Sequence, residues 1–323
     1  MAMAAAPTDT RAPARWQDFL QLLKPRVMSL VVFTGATGLV ASGHPINLIL
    51  AAVAILCIAV GAGASGALNM WYDADIDGMM RRTRGRPVPS GRVQGADAAG
   101  LGVVLSLFSV MLMGMALNWL AAGLLAFTIV FYAVVYTMWL KRSTTQNIVI
   151  GGLAGALPPV IGWAAATGHA PLNAWLLCAI IFMWTPPHFW ALSLYTSEDY
   201  ARAGVPMMPV VKGAASTRRQ ILGYTCLLVP LGVLPAFSGL GGAAYLAVSG
   251  LGGLVFLLLA VRLFRSRAGE SPDPRMTDGL YDVKAGAKDA RNLFAFSILY
   301  VTLLFATLLV EHLAGLPVLE LFK

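Results

Sequence analysis

Charge is scarce in this 323-residue chain: Asp, Glu, Lys and Arg make up 12% of it, against 58% hydrophobic residues. Soluble domains carry roughly 25% charged residues, so that class is excluded. Cysteine is scarcer still. Cys57, Cys178 and Cys226 all fall in apolar runs, with neither paired spacing nor a CxxC, which removes disulfide frameworks and zinc sites and leaves them as packing residues. Nor is there a block of cations on a polar module. The net charge of +8 is spread over short polar connections, so no nucleic-acid partner is expected.

What the chain has in abundance is apolar sequence. A membrane-spanning helix needs about 20 such residues, and nine runs qualify: 27–43, 47–68, 96–116, 119–139, 146–167, 172–194, 220–238, 243–263 and 293–313. The first is short. Of the 23 Lys and Arg residues, 22 precede the first run or lie in alternate connections, while 43–47, 117–118, 168–173 and 239–242 hold none. Short loops rich in cations stay on the cytoplasmic side. The reading is therefore a multi-pass membrane protein whose N-terminus is cytoplasmic, or matrix-facing in an organelle, with Lys323 on the far side; the bacterial inner membrane is preferred to the mitochondrial one. Residues 1–23 are expected to be a disordered cytoplasmic tail, because Met1–Arg15 is rich in Ala, Pro and Thr and lacks the apolar core of a signal peptide. Residues 24–323 read as one transmembrane domain, with Arg262–Arg291 its longest polar connection.

Acidic residues are few, and their placement is informative. Asn69, Asp73 and Asp77 close the second span at i, i+4, i+8. At about 100° per residue, successive members are displaced by only about 40°, so the three share one helical face and Asp75 points away. Two carboxylates and an amide oxygen suit Mg²⁺, which takes a few carboxylates together with substrate phosphate and water. Arg81, Arg82, Arg84, Arg86 and Arg92 follow closely. Carboxylates cannot grip a diphosphate, but they can hold a metal that does while Arg forks take the free oxygens. Topogenic charge is the plainer account of some of these arginines. A second cluster, Glu198-Asp199-Tyr200-Ala-Arg202 with Lys212 beyond it, ends the sixth span on the same side, which suggests two related halves facing one cavity.

These stretches resemble the intramembrane aromatic prenyltransferases of the UbiA superfamily. The likeness runs from about Lys24 to the last span. It rests on Lys24-Pro-Arg26, the NxxxDxxxD run at Asn69, Arg82-Thr-Arg-Gly-Arg-Pro-Val-Pro-Ser-Gly91, Leu140-Lys-Arg-Ser-Thr-Thr-Gln-Asn147, Trp184-Thr-Pro-Pro-His-Phe-Trp190 and Asp199-Tyr-Ala-Arg-Ala-Gly-Val-Pro-Met-Met-Pro209. The resemblance implies an all-α polytopic fold of about nine transmembrane helices around a central cavity open to the cytoplasmic side. It also implies Mg²⁺ as cofactor, farnesyl diphosphate as donor and heme B as acceptor, with the lipid bilayer as surroundings and heme A synthase or oxidase assembly proteins as partners.

By the same resemblance, Asn69, Asp73 and Asp77 take the metal and catalytic roles. Arg81, Lys141 and Arg142 hold diphosphate oxygens, with Arg84 and Lys212 as helpers. Asp199 holds a second ion weakly or only orders its loop, because Ala203 stands where the superfamily's commoner second motif has another acid. His188, after Pro186 and Pro187, is expected where those prolines open room beside the cavity, to ligate heme iron or orient water. His44, His169 and His312 belong to the opposite face.

Trp71, Tyr72, Tyr136, Trp139, Phe189 and Trp190 lie near the right helix ends to stabilise a prenyl carbocation by cation–π contact, although an interfacial aromatic belt accounts for most of them. Three rivals remain at this point: a prenyltransferase for a quinone-precursor acceptor such as 4-hydroxybenzoate, a transporter, and a heme-binding assembly factor. The first should show a fuller second acidic motif. The second should carry ionisable residues along a path between the two faces. The third needs no diphosphate clamp.

Overall fold

The computed structural model describes residues 14–270 and 279–319. Residues 1–13, most of the expected tail, lie outside the described residues, as do Lys323 and the middle of the 262–291 connection. Within the described residues the chain is almost entirely helical, with a single isolated bridge between Gly242 and Val318. A spanning segment in lipid must satisfy its own backbone hydrogen bonds, and apolar runs of this length do so as helices.

The elements in order are α1 (Trp16–Leu22), α2 (Pro25–Ala41), α3 (Leu48–Tyr72), α4 (Ala74–Met79), α5 (Gly95–Ala116) and α6 (Trp119–Val130). A π-helix (Phe131–Leu140) continues α6 into α7 (Lys141–Ser143). Then come α8 (Asn147–Ala156), α9 (Pro158–Thr167), α10 (Leu172–Tyr195), α11 (Ser197–Arg202), α12 (Met208–Val211), α13 (Gly213–Phe237), α14 (Ala243–Arg265) and α15 (Gly279–Leu313). Among the described residues eight spans are long and apolar enough to cross a bilayer, and α1 with α2, bent by 51°, makes a ninth when the pair is counted as one span. The chain is a multi-pass membrane protein, as its apolar runs predict.

Local sequence explains the starts. Asn47 accepts from the Ile49 N–H at 2.8 Å and Asn118 from the Ala121 N–H at 2.9 Å, each capping a helix. Pro25 and Pro158 occupy first-turn positions, where a missing N–H costs nothing. Two spans form the interior: 147–167 and 172–195 are mostly buried, whereas the others turn most of their surface outward. Leu107, Met115 and Leu251, each more than 60% exposed, belong to that lipid-facing surface. Small residues bring the interior helices together. A Cβ on Gly38 would sit 2.1 Å from the Pro159 carbonyl oxygen, so α2 and α9 cross backbone against backbone.

Three expectations need correction. The stretch read as tail contains a helix: α1 buries Leu22, and its Asp18 accepts from Arg92 Nε at 2.8 Å. Cys57 and Cys178 are buried packing residues, but Cys226 is exposed on α13. Finally, α10 runs unbroken through Pro186 and Pro187. The prolines remove two helical donors without ending the helix.

A clasp closes the described part of the α14–α15 connection onto α13. Buried Arg218 donates from Nη1 to the Ala268 carbonyl at 2.6 Å and from Nη2 to Glu270 Oε1 at 2.5 Å; Arg267 reaches Glu270 Oε2 at 2.9 Å. The hydrogen bonds from Arg267 and then Arg218 hold the Glu270 carboxyl below its ordinary value of 4.5. Such a group stabilises the fold above its unfolded pKa, and the contribution disappears as pH falls through the depressed folded pKa. Glu270→Gln should therefore melt below the parent protein at pH 7, and the gap should close as the pH is taken below the carboxylate range. Calorimetric scans at both pH values check this; a gap unchanged by pH would contradict it.

Candidate functional site

Asn69 begins the last turn of α3, and the helical path continues past it. Asp73, with φ −85° and ψ 8°, marks the junction with α4, yet its N–H still donates to the Asn69 carbonyl at 2.9 Å and the Asp77 N–H to the Asp73 carbonyl at 2.8 Å. The i, i+4, i+8 register thus survives the junction, and Asn69, Asp73 and Asp77 are all buried. Asp75 faces outward, as the helical geometry requires.

Each member of this triplet has a cation on it. Lys24 Nζ donates to Asn69 Oδ1. Lys141 Nζ donates to Asp73 Oδ2 at 2.5 Å, and Arg86 Nη1 to Asp77 Oδ2 at 2.6 Å. Asn69 Nδ2 in turn donates to Asp73 Oδ2 at 2.7 Å and to Thr137 Oγ1 at 3.0 Å. Asp73 Oδ1 is buried without a hydrogen bond; Arg142 Nη2 stands 3.6 Å away.

Four elements deliver these groups. Lys24 sits in the bend between α1 and α2 at φ 51°, the one non-glycine residue of positive φ among those described. Gly66 lets that bend approach α3: a Cβ there would meet the Leu22 carbonyl oxygen at 3.1 Å and Lys24 Cδ at 3.5 Å. Thr137 comes from the π-helix, where its hydroxyl donates to the Tyr132 carbonyl five residues back at 2.8 Å. Wide π turns recur at functional sites, and this one brings Thr137 and, at its end, Lys141 to the triplet. Arg86 comes from the turns after α4, where Thr83 and Arg84 both donate backbone N–H groups to the Met80 carbonyl.

Arg142 stands at the edge of this cluster, and the other predicted residues lie apart from it. Arg142 is turned to Asp75 in a bidentate pair, 2.7 Å at each nitrogen, with its guanidinium 4.8 Å above the Tyr72 ring. The hydrogen bonds from Arg142 hold the Asp75 carboxyl below its ordinary value. Arg81, Arg84 and Lys212 are exposed and touch none of the triplet. Asp199 faces Arg202 at 3.7 Å, and among the described residues no three acidic, His or Cys side chains converge on one point. The two charged connections do meet: Arg82 Nη2 donates to the hydroxyl of buried Tyr200 at 3.4 Å.

His188 is buried on α10, stacked between Trp184 at 4.3 Å and Phe294 at 4.6 Å. Its Nδ1 is 2.7 Å from Ser297 Oγ, leaving Nε2 without a protein partner. Among the aromatics, Trp139 and Trp71 face outward as belt residues, but Trp190 is fully buried. An open groove of about 690 Å³ runs along α13 beside Arg219, Tyr224 and Leu227, and none of the predicted site residues lines it.

Lys24, Thr137 and Tyr200 are residues of this site to which sequence reasoning gave no role, whereas Arg86 was named only among the arginines that follow Asp77 as forks for diphosphate oxygens. The signal for Lys24, Arg86 and Tyr200 was present, since all three fall within stretches that carried the family resemblance. Thr137 had none.

The cluster has the chemistry to hold a polyanion. Two buried carboxylates face three cations, leaving one positive charge in surroundings of low dielectric. The donor set fits a hard divalent cation: two carboxylates and an amide oxygen, one carboxylate oxygen being buried without a hydrogen bond, with remaining positions for phosphate oxygens and water.

The sequence matches the model of the UbiA prenyltransferase family over residues 30–281. The protoheme IX farnesyltransferase of Caulobacter sp. (strain K31) is 72% identical over 330 residues, covering 98% of this chain and 96% of the relative. That of Maricaulis maris (strain MCS10) is 60% identical over 315 residues, covering 96% and 95%. Among solved structures, one described as digeranylgeranylglyceryl phosphate synthase in membranes superposes with a TM-score of 0.73 at 15% identity, covering 92% of this chain and 98% of that one. A UbiA homolog from Archaeoglobus fulgidus bound to DMAPP and Mg²⁺ gives 0.64 at 14% identity, covering 88% and 99%. At such identities the structural likeness carries the fold alone.

Proposed function

The chain belongs to the UbiA prenyltransferase family, and from that premise we propose that it transfers the farnesyl group of farnesyl diphosphate to a vinyl group of heme B, with addition of water, to give heme O and diphosphate. The identity to protoheme IX farnesyltransferases over nearly the whole chain supports the acceptor. The observation that carries the chemistry is the buried Asn69–Asp73–Asp77 triplet with Lys24, Lys141 and Arg86 on it. It offers a hard-metal donor set and an anion site at one place.

In this reading Asp73, Asp77 and Asn69 would hold Mg²⁺, which when bound would supply Lewis-acid neutralisation of charge on the leaving oxygen. Lys141, Arg86 and Lys24 take free diphosphate oxygens, and their fixed positive charge stabilises the group as it departs. Arg81, Arg84, Arg142 and Lys212 serve as an outer cationic rim on the same side. The C1–O bond of the donor breaks with its electron pair going to diphosphate. The heme vinyl carbon bonds to C1, and the cation left beside the porphyrin takes water and releases a proton. Tyr132 and Tyr136, on the same π-helix as Thr137 with ring centroids 5.3 Å apart, would present aromatic faces to the departing prenyl group. Apolar walls keep water from the first cation. His188, held by Ser297 on one nitrogen, offers the other to heme iron or to the attacking water. Asp199 orders the second connection beside Tyr200 or holds a further ion.

The cation-rich connections support placing this site on the cytoplasmic side of a bacterial inner membrane. Heme A synthase or oxidase assembly proteins are the expected recipients of the product. A quinone-precursor acceptor is not favoured, because Ala203 removes the second acid such a site would carry. Purified protein in nanodiscs, given farnesyl diphosphate, Mg²⁺ and equal heme B and 4-hydroxybenzoate, should add farnesyl and water to the porphyrin. Prenylated benzoate beside unchanged heme would overturn the acceptor.

A further inference from the structure

We infer that Lys24, Lys141 and Arg86 close the metal-ligating triplet until a diphosphate arrives, so that metal and diphosphate bind only together. The inference rests on the functional reading above and goes beyond it, to the order in which the site fills.

Each residue of the triplet already has one prospective ligand oxygen engaged: Asn69 Oδ1 by Lys24, Asp73 Oδ2 by Lys141 and Asp77 Oδ2 by Arg86. The three cations come from three different elements, so no single backbone movement frees the set. A lone divalent cation must displace charge-assisted hydrogen bonds and enter a site that already carries one net positive charge, in a medium that screens repulsion poorly. Asp73 Oδ1, buried without a hydrogen bond, has Arg142 Nη2 3.6 Å away, and by itself it holds no ion. A diphosphate reverses these terms. Its negative charge is attracted by the surplus, and its oxygens give the three cations new acceptors. The carboxylates and the amide oxygen are then released to the metal. Lys24 and Lys141 have flexible four-carbon stems suited to such an exchange, while Arg86 swings on its own.

Lys24 gives a second, independent observation. Its backbone lies at φ 51°, a conformation that Gly, Asn or Asp adopts far more readily. Strain of this kind persists where the surroundings over-determine it. The turn alone would be better made by glycine, so the side chain is the reason for a lysine here, and its one hydrogen-bond partner is Asn69.

Binding of Mn²⁺ to the full-length protein in nanodiscs, read by electron paramagnetic resonance, tests the inference. Inorganic diphosphate is the probe, and protein-free nanodiscs correct for Mn–diphosphate in solution. The parent protein should take up Mn²⁺ strongly with diphosphate and weakly without it. In Lys24→Met, and in Lys24→Gln as a variant that keeps a neutral donor, affinity for Mn²⁺ alone should rise by at least about tenfold. Arg86→Met should act in the same direction. Mn²⁺ binding the variants no more tightly than the parent, while still binding with diphosphate, would overturn the coupling and leave the metal reading standing. A parent protein that takes no Mn²⁺ even with diphosphate overturns both.

Discussion

Asp73→Asn should lower turnover by about a hundredfold to a thousandfold at saturating Mg²⁺, the size of effect seen when a fixed electrostatic group is lost from a reacting centre. The substitution keeps shape and removes charge. Asp73 is the most buried member of the triplet and the one in contact with both Lys141 and Asn69. As asparagine it still accepts from Lys141, and Lys141 reaches solvent with part of its side chain, so the fold should persist. Asp75→Asn is the matched control, two residues away on the exposed face in a surface pair with Arg142. Surface pairs contribute at most about 1 kcal/mol, so that variant should stay within about fivefold of parental turnover. Steady-state rates of both variants, with melting temperatures measured alongside, check the pair of expectations. Equal rates for the two would remove Asp73 from the site.

Gly162→Ala should be among the most destabilising single methyls that can be added to the described helices, alongside its counterpart Gly38→Ala on the facing helix. A Cβ there would lie 2.0 Å from the Gly35 carbonyl oxygen and 3.0 Å from the Leu39 nitrogen, so the obstacle is backbone on the facing helix and no rotamer relieves it. Overpacking of a tight interior costs about 1–3 kcal/mol and more where the backbone must move; here the helices α2 and α9 must separate. Because α2 follows directly on Lys24, the site should loosen as well. Gly155→Ala, on α8 with nothing within 4 Å of the new methyl, should be neutral or slightly stabilising. Thermal unfolding in nanodiscs ranks the two; Gly162→Ala melting with Gly155→Ala would contradict the close crossing.

The contrast between what the sequence revealed and what it concealed follows from physics. Lipid permits few spanning structures, so long apolar runs read directly as helices, and all nine expected spans have helical counterparts. Helical period equally fixed the shared face of Asn69, Asp73 and Asp77. The arginines were not legible in this way. Arg81 and Arg84 were expected at the diphosphate, yet Arg86 reaches Asp77, because the chain after Met80 follows irregular turns in which side-chain direction has no period. Arg142 and Lys141 are neighbours in sequence with opposite destinations, Asp75 outside and Asp73 inside. Lys24 lay hidden in a left-handed turn, and Thr137 depends on a π-helix whose register no α-helical reading anticipates. His188 was legible as a residue of interest, whereas its aromatic stack and its bond to Ser297 required the packing of α10 against α15.

The most direct test of the central claim, metal-assisted farnesylation of heme by the carboxylate triplet, is the mass of the porphyrin after incubation with heme B, farnesyl diphosphate and Mg²⁺ in ¹⁸O-labelled water, with and without chelator. The account predicts a farnesyl group plus one labelled oxygen on the porphyrin, lost when chelator is present. A product that forms equally well with chelator, or one that carries no label, would contradict it.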